Sequence, residues 1–96
     1  MIILSTNIAR RVQIRKGNAI RMVERKKVLD AIENISSQCE ECIQDRETMK
    51  IALCGAERLV INKDIVEIYY AWGKEPGIIV KNKKIKKALE SFFERK

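Results

Sequence analysis

"GIIVKNKKIKKALESFFERK", residues 77–96, closes the chain with an apolar stripe set among lysines. Ile85, Ala88, Leu89, Phe92 and Phe93 recur at three- and four-residue steps, the spacing of one face of an α-helix. Lys83, Lys84, Lys86 and Lys87 take the flanks and the opposite side. Asn82 precedes them as an N-cap, its side-chain oxygen suited to accept from an orphan backbone N–H of the first turn. The lysines of that turn oppose the helix dipole by a few tenths of a kcal/mol. Burying the stripe stabilises by several kcal/mol, at about 25 cal/mol per Å² of apolar area. The helix is therefore expected to pack on a sheet and hold its ammonium groups in water. Whether those groups recognise a phosphate backbone or only solvate a surface is the functional question.

Upstream, the sequence supplies the strands such a sheet needs. "IIVK" (78–81) is short and β-branched, and "GKEPG" (73–77) punctuates the chain before it with Pro76 and Gly77. "RLVIN" (58–62) and "IVEIYYAW" (65–72) flank Lys63 and Asp64, a tight polar corner. "MKIALC" (49–54) places Met49, Ile51 and Leu53 on one face and reads as a further extended segment; "GAE" (55–57) turns the chain and "QDRET" (44–48) breaks the pattern before it. Between the strands lies a helical period: Val28, Ala31, Ile32, Ile35, Cys39, Cys42 and Ile43, with Asp30, Glu33, Glu40 and Glu41 outside. Near the start, Ile8, Arg10, Val12 and Ile14 alternate with Ala9, Arg11, Gln13 and Arg15, a strand pattern. "KGN" (16–18) then offers a turn in which Gly17 can take positive φ. "AIRMVER" (19–25) suits either a second strand or the start of the long helix, which begins between Ala19 and Lys26. The expected fold is a single α+β domain over residues 1–96: an antiparallel sheet of about four or five strands, joined by short hairpins, with one long helix and one C-terminal helix.

Composition bounds the chemistry. With 46% hydrophobic and 34% charged residues, the chain belongs with folded domains rather than disordered ones. Its longest apolar runs fall far short of the roughly 20 residues that span a bilayer, and no signal-peptide order of residues opens it. Cytoplasmic residence without membrane contact is the expectation, and three cysteines, an odd number, fit a reducing compartment. Histidine is absent, which removes Ser–His and Cys–His nucleophilic sites, histidine-ligated metals and imidazole acid–base catalysis. Charge is segregated: eight basic residues against one acid in 1–27, one against six in 28–48, four against four in 49–75, and seven against two in 76–96. Basic ends of this kind attract phosphate, the acidic middle of the same chain, or that of a second copy; they also serve as plain solvated faces.

Residues 49–96 resemble the C-terminal part of the phospholipase-D-like sensor segments that follow winged-helix domains in archaeal transcription regulators of the TrmB-like kind. The resemblance is carried by "ERLVINKDIVEIYY", "EPGIIVKN" and "IKKALESFFERK", where Asp64, Gly77, Ile78, Val80, Phe93 and Glu94 match the pattern. It covers about half of the chain. It implies a regulatory or ligand-sensing role without catalysis, because phospholipase-D-like enzymes attack phosphorus with the histidine of a His-x-Lys motif that this chain lacks. A winged helix is not legible in residues 1–48, so the chain is either a stand-alone sensor-like protein or a piece of a larger one.

Four candidate sites follow. Arg10, Arg11, Arg15 and Arg21, with Lys83, Lys84, Lys86 and Lys87, form the nucleic-acid or anion-contact set, one patch if the first strand and last helix share a face. Tyr69, Tyr70 and Trp72 are the aromatic residues available for base stacking, Tyr69 and Tyr70 pointing to opposite faces. "CEEC" (39–42) with Cys54 falls one ligand short of a closed zinc site and lies near a helix end rather than its start; these thiols read as small core residues, with no metal and no cofactor expected. Glu57, Asp64 and Glu67 read as turn chemistry and surface pairing rather than a catalytic group. The surplus apolar positions of the long helix and the opposed charge blocks predict a homodimer. Two functions stand: a non-enzymatic regulatory, ligand-sensing domain linked to transcription control, and a basic protein binding DNA or RNA directly.

Overall fold

Alternation drives the first hairpin. Val12 and Ile14 turn into the core while Arg11 and Arg15 turn to solvent, giving strand β1 (Arg11–Lys16). Gly17 takes φ +62° in the turn that follows, and β2 (Ala19–Glu24) pairs back antiparallel with Val12 opposite Val23. The computed structural model describes residues 10–35, 40–71 and 73–94. Next come helices α1 (Arg25–Glu33) and α2 (Glu40–Leu53), then β3 (Ala56–Asn62), β4 (Ile65–Tyr70) and β5 (Ile78–Val80). Helix α3 (Lys83–Glu90) and a 3-10 turn (Ser91–Phe93) complete the described chain.

The α+β class, a strand number within the expected four or five and the C-terminal helix agree with the sequence. Three features differ from it. The sheet is mixed: its order is β2-β1-β3-β4-β5, and β1 runs parallel to β3 while the other neighbours are antiparallel. Two helices separate β2 from β3, and a crossover of that length lets the chain return beside β1 in the parallel sense, which a hairpin cannot do. The long helical period divides into α1, which supplies Val28 and Ile32 to the core, and the 14-residue α2, which supplies Met49 and Leu53. "QDRET" and "MKIALC" are accordingly inside or at the end of α2, not a turn and a strand. Met49 and Leu53 are four apart, so they share a helical face as readily as a strand face; Ile51 between them, 73% exposed, shows which period won. Of the two readings of residues 19–25, the strand holds up to Glu24.

All three helices lie on one face of the sheet. Val12, Ile14, Leu59, Ile61, Val66, Ile68 and Val80 point toward them and join Val28, Ile32, Met49, Leu53, Ile85 and Leu89 in one cluster. Ile85 and Leu89 are fully buried, and Phe92 and Phe93 are half-buried against the same cluster, as the terminal stripe requires.

Polar ties fix the helix ends. Arg25 donates from Nη1 to the carbonyls of Leu53 (2.5 Å) and Ala56 (2.8 Å), closing the α2–β3 connection onto the start of α1. Arg46 of α2 donates to the carbonyl of Ile35 (3.0 Å), just past α1. Asn82 caps α3, accepting from the N–H groups of Lys84 (2.9 Å) and Ile85 (3.2 Å), and its Nδ2 donates to Asp45 of α2 at 2.9 Å. Asn82→Ala loses both functions and is expected to cost about 1–2 kcal/mol. Asn82→Asp keeps the cap but sets a carboxylate against Asp45. The lost amide hydrogen bond and the repulsion between the two carboxylates should leave that variant less stable than wild type at neutral pH. Urea unfolding at about pH 7 should place the midpoints of both variants below that of wild type.

The corner between β3 and β4 carries a local strain. Lys63 sits at φ +57°, where a side chain costs about 1–2 kcal/mol and glycine costs little. Lys63→Gly should raise the melting temperature by a few degrees; a lower one would show that the lysine side chain contributes more there than its backbone loses.

Candidate nucleic-acid interface

Because the helices cover one face, the other is left to whatever side chains alternate outward. Strand register arranges these in rows. Met22 of β2, Gln13 of β1, Arg58 of β3 and Tyr69 of β4 are successive neighbours across the sheet. Ile20, Arg15, Val60, Glu67 and Ile79 form the next row, across all five strands. Arg11 stands opposite Glu24 on the other side of the first row. Met22, Ile20 and Ile79 are about half exposed, at 55%, 47% and 56%.

Three arginines gather here. Arg11, Arg15 and Arg58 line a groove of about 340 Å³ with Gln13, Met22 and Glu57. Arg15 Nε donates to Gln13 Oε1 at 2.8 Å. Arg58 lies over the ring of Tyr69, its Cζ 4.2 Å from the ring centroid, a cation–π distance. Tyr69 in turn donates its hydroxyl to Glu67 Oε1 at 3.0 Å. Desolvation pushes the Tyr69 phenol up from its ordinary range, and the hydrogen bond and charge of Glu67 add to this while Arg58 opposes it. The phenol is therefore a neutral donor at physiological pH. Glu24, Glu57 and Glu67 share the face, yet among the described residues none pairs with Arg11, Arg15 or Arg58 within ion-pair distance. Arginines so placed keep their fork of donors for an external anion.

The eight residues of the sequence-derived set divide. Arg11 and Arg15 lie on the uncovered face. Arg10 is exposed at the bend leading into β1. Arg21 alternates to the helix side of β2, 5.9 Å from the ring centroid of Phe93. Lys83, Lys84 and Lys87 are exposed on α3, on the opposite side of the sheet from Arg11 and Arg15. Lys86 is engaged there by Asp64 and Glu90, each at 3.9 Å, while Glu90 also holds Lys16 at 3.0 Å. First strand and last helix thus present their charges to opposite sides, and no single patch forms from the set.

Sequence reasoning passed over Arg58, although a signal existed. Counting back from a two-residue corner at Lys63 and Asp64 pairs Asn62 with Ile65 and Arg58 with Tyr69, as observed. Of the aromatic candidates, Tyr70 is half-buried and its ring covers Gly77, where an added Cβ would come within 2.6 Å of it. Trp72 and Cys39 lie outside the described residues. Cys42 is buried and Cys54 is exposed at the end of α2, and no group of three Cys, Asp or Glu among the described residues is placed to hold a metal ion. Glu57 lies at a β-bulge, Asp64 in the corner and Glu67 under Tyr69, so the three carboxylates are dispersed. No described helix is long and apolar enough to cross a membrane. Comparison of the chain with family models, curated proteins and solved structures finds no match.

Proposed function

We propose that this protein binds nucleic acid without acting on it, through the uncovered face of its sheet. The observation that carries this reading is the group Arg11, Arg15 and Arg58, three guanidinium ions on adjacent strands with no ion-pair partner among the described residues. Phosphate backbones are what such groups bind best, and a net charge of +7 draws polyanions in from a distance. The absence of histidine supports a binding role over a catalytic one. Fluorescence anisotropy with labelled oligonucleotides tests the reading: affinity should fall with salt with a slope of log K against log salt near −2, as for about three phosphate contacts to a single strand. No binding at low salt would end it.

A ligand-sensing role in transcription control is the second reading, in keeping with the TrmB-like resemblance. It draws support from a groove of about 510 Å³ wrapped round the free edge of β2, lined by Arg11, Arg21, Lys27, Met22 and Phe92 among others. That volume lies in the range of small-molecule sites, and its cations would select an anionic effector. A homodimer belongs to the same reading, supported by Ile43 and Ile51, both exposed on α2. Light scattering at physiological salt checks it; a monomeric mass would remove the dimer.

A further inference from the structure

We infer that the ligand of the uncovered face is single-stranded, and that Arg58, held by Tyr69, is the platform on which one of its bases stacks. This rests on the nucleic-acid reading and narrows it. The shape of the face comes first. Met22, Gln13, Arg58 and Tyr69 run side by side over four strands, a row about 14 Å long at roughly 4.8 Å per strand step. Readers of duplex DNA insert a helix or a two-stranded ribbon into a groove. Here the three helices belong to the other face, so this one presents no helix for a duplex groove. Splayed, unpaired bases suit such a surface, since each has a π-face and needs only a flat partner.

The second observation is how Arg58 is held. Glu67 fixes the Tyr69 hydroxyl, and the Tyr69 ring lies beneath the Arg58 guanidinium. Arg58 also lines the groove, so its side chain borders the space a ligand would enter. Guanidinium planes stack on bases as aromatic rings do. Arg11 and Arg15 lie two residues either side of Gln13 on β1, about 13 Å apart along the strand, and flank the row where backbone phosphates would run. Gln13 accepts from Arg15 through its oxygen and retains its amide N–H groups for a base edge. A second copy of the chain is a poor occupant. A two-fold whose axis passes through the arginine trio would set like charges against each other across the interface, which is costly.

The test compares a short oligothymidylate, a short DNA duplex and heparin as ligands of the wild type and of Tyr69→Ala, Tyr69→Phe and Arg58→Lys. Wild type should prefer the single strand over the duplex by tenfold or more. Tyr69→Ala should weaken the single strand about tenfold with its salt slope unchanged, leaving duplex and heparin unaffected. Tyr69→Phe should retain the wild-type preference. Arg58→Lys, which keeps the charge and loses the plane, should lose that preference, and it decides the matter if Tyr69→Ala does not fold. Equal affinity for the three ligands, or a single-strand affinity indifferent to both Tyr69→Ala and Arg58→Lys, would overturn stacking and leave binding by the arginines standing. Failure of all three ligands to bind wild type would remove both.

Discussion

Leu89→Ala is expected to lower the stability of this domain by about 3 kcal/mol, within the range measured for leucines in well-packed cores. Leu89 is fully buried and belongs to the cluster that joins α3 to the sheet. Its helix lies against α1, β3 and β4 at once, so the methyl groups removed leave a void on several sides rather than one a single neighbour can fill. Domains of this size have total stabilities of about 5–15 kcal/mol, and melting shifts of about 4–8 °C per kcal/mol. A fall of roughly 12–24 °C should therefore be seen, with the cooperativity of unfolding retained. Lys87→Ala, on the solvent side of the same helix, should stay within about 0.5 kcal/mol of wild type. Equal midpoints for the two variants in urea would mean that α3 is not attached as described.

Replacing Arg11, Arg15 and Arg58 together by alanine is expected to weaken nucleic-acid binding about 100-fold at low salt, for three charge-assisted contacts of about 1 kcal/mol each. The salt slope should flatten at the same time, because each lost phosphate contact removes its released counterion. All three side chains project from the sheet face that lacks helices, and none belongs to the buried cluster. The fold should survive, with the exception of whatever order Tyr69 owes to its stacked partner. The matching triple of Lys83, Lys84 and Lys87 removes the same charge from the far side of the sheet. It should cost a few-fold at most, through the general field rather than through contact. Anisotropy titrations of both triples at two salt concentrations separate a site from a diffuse attraction. Comparable losses would favour the latter.

The terminal helix was legible because its signals agree. Asn82 as cap, Ile85 and Leu89 four apart and Phe92 and Phe93 one turn on all point to one apolar stripe, which α3 and the 3-10 turn after it share. The hairpins at Gly17 and at Lys63 and Asp64 were legible for the same reason, as turn chemistry is local. Residues 44–54 were not. Met49 and Leu53 satisfy both periods, and what settles α2 is its packing on α1 and the ties that Arg46 makes to Ile35, neither visible in a string of letters. Parallel pairing of β1 with β3 is likewise a long-range choice, joining residues more than forty positions apart, Gln13 with Arg58. The candidate site inherits this. Arg11 and Arg15 were within reach of pattern reasoning, but their meeting with Arg58 depends on that crossover. The lysines of α3, most conspicuous in the sequence, prove to face away from it.

Chemical-shift mapping of the labelled protein, titrated with a short single-stranded oligonucleotide, tests directly whether the helix-free face is the working surface. The account predicts that amide shifts concentrate on β1 around Arg11, Gln13 and Arg15 and on their neighbours Arg58 and Tyr69, leaving α3 still. Shifts confined to Lys83, Lys84 and Lys87 and their helix, with β1 and β3 unmoved, would contradict it.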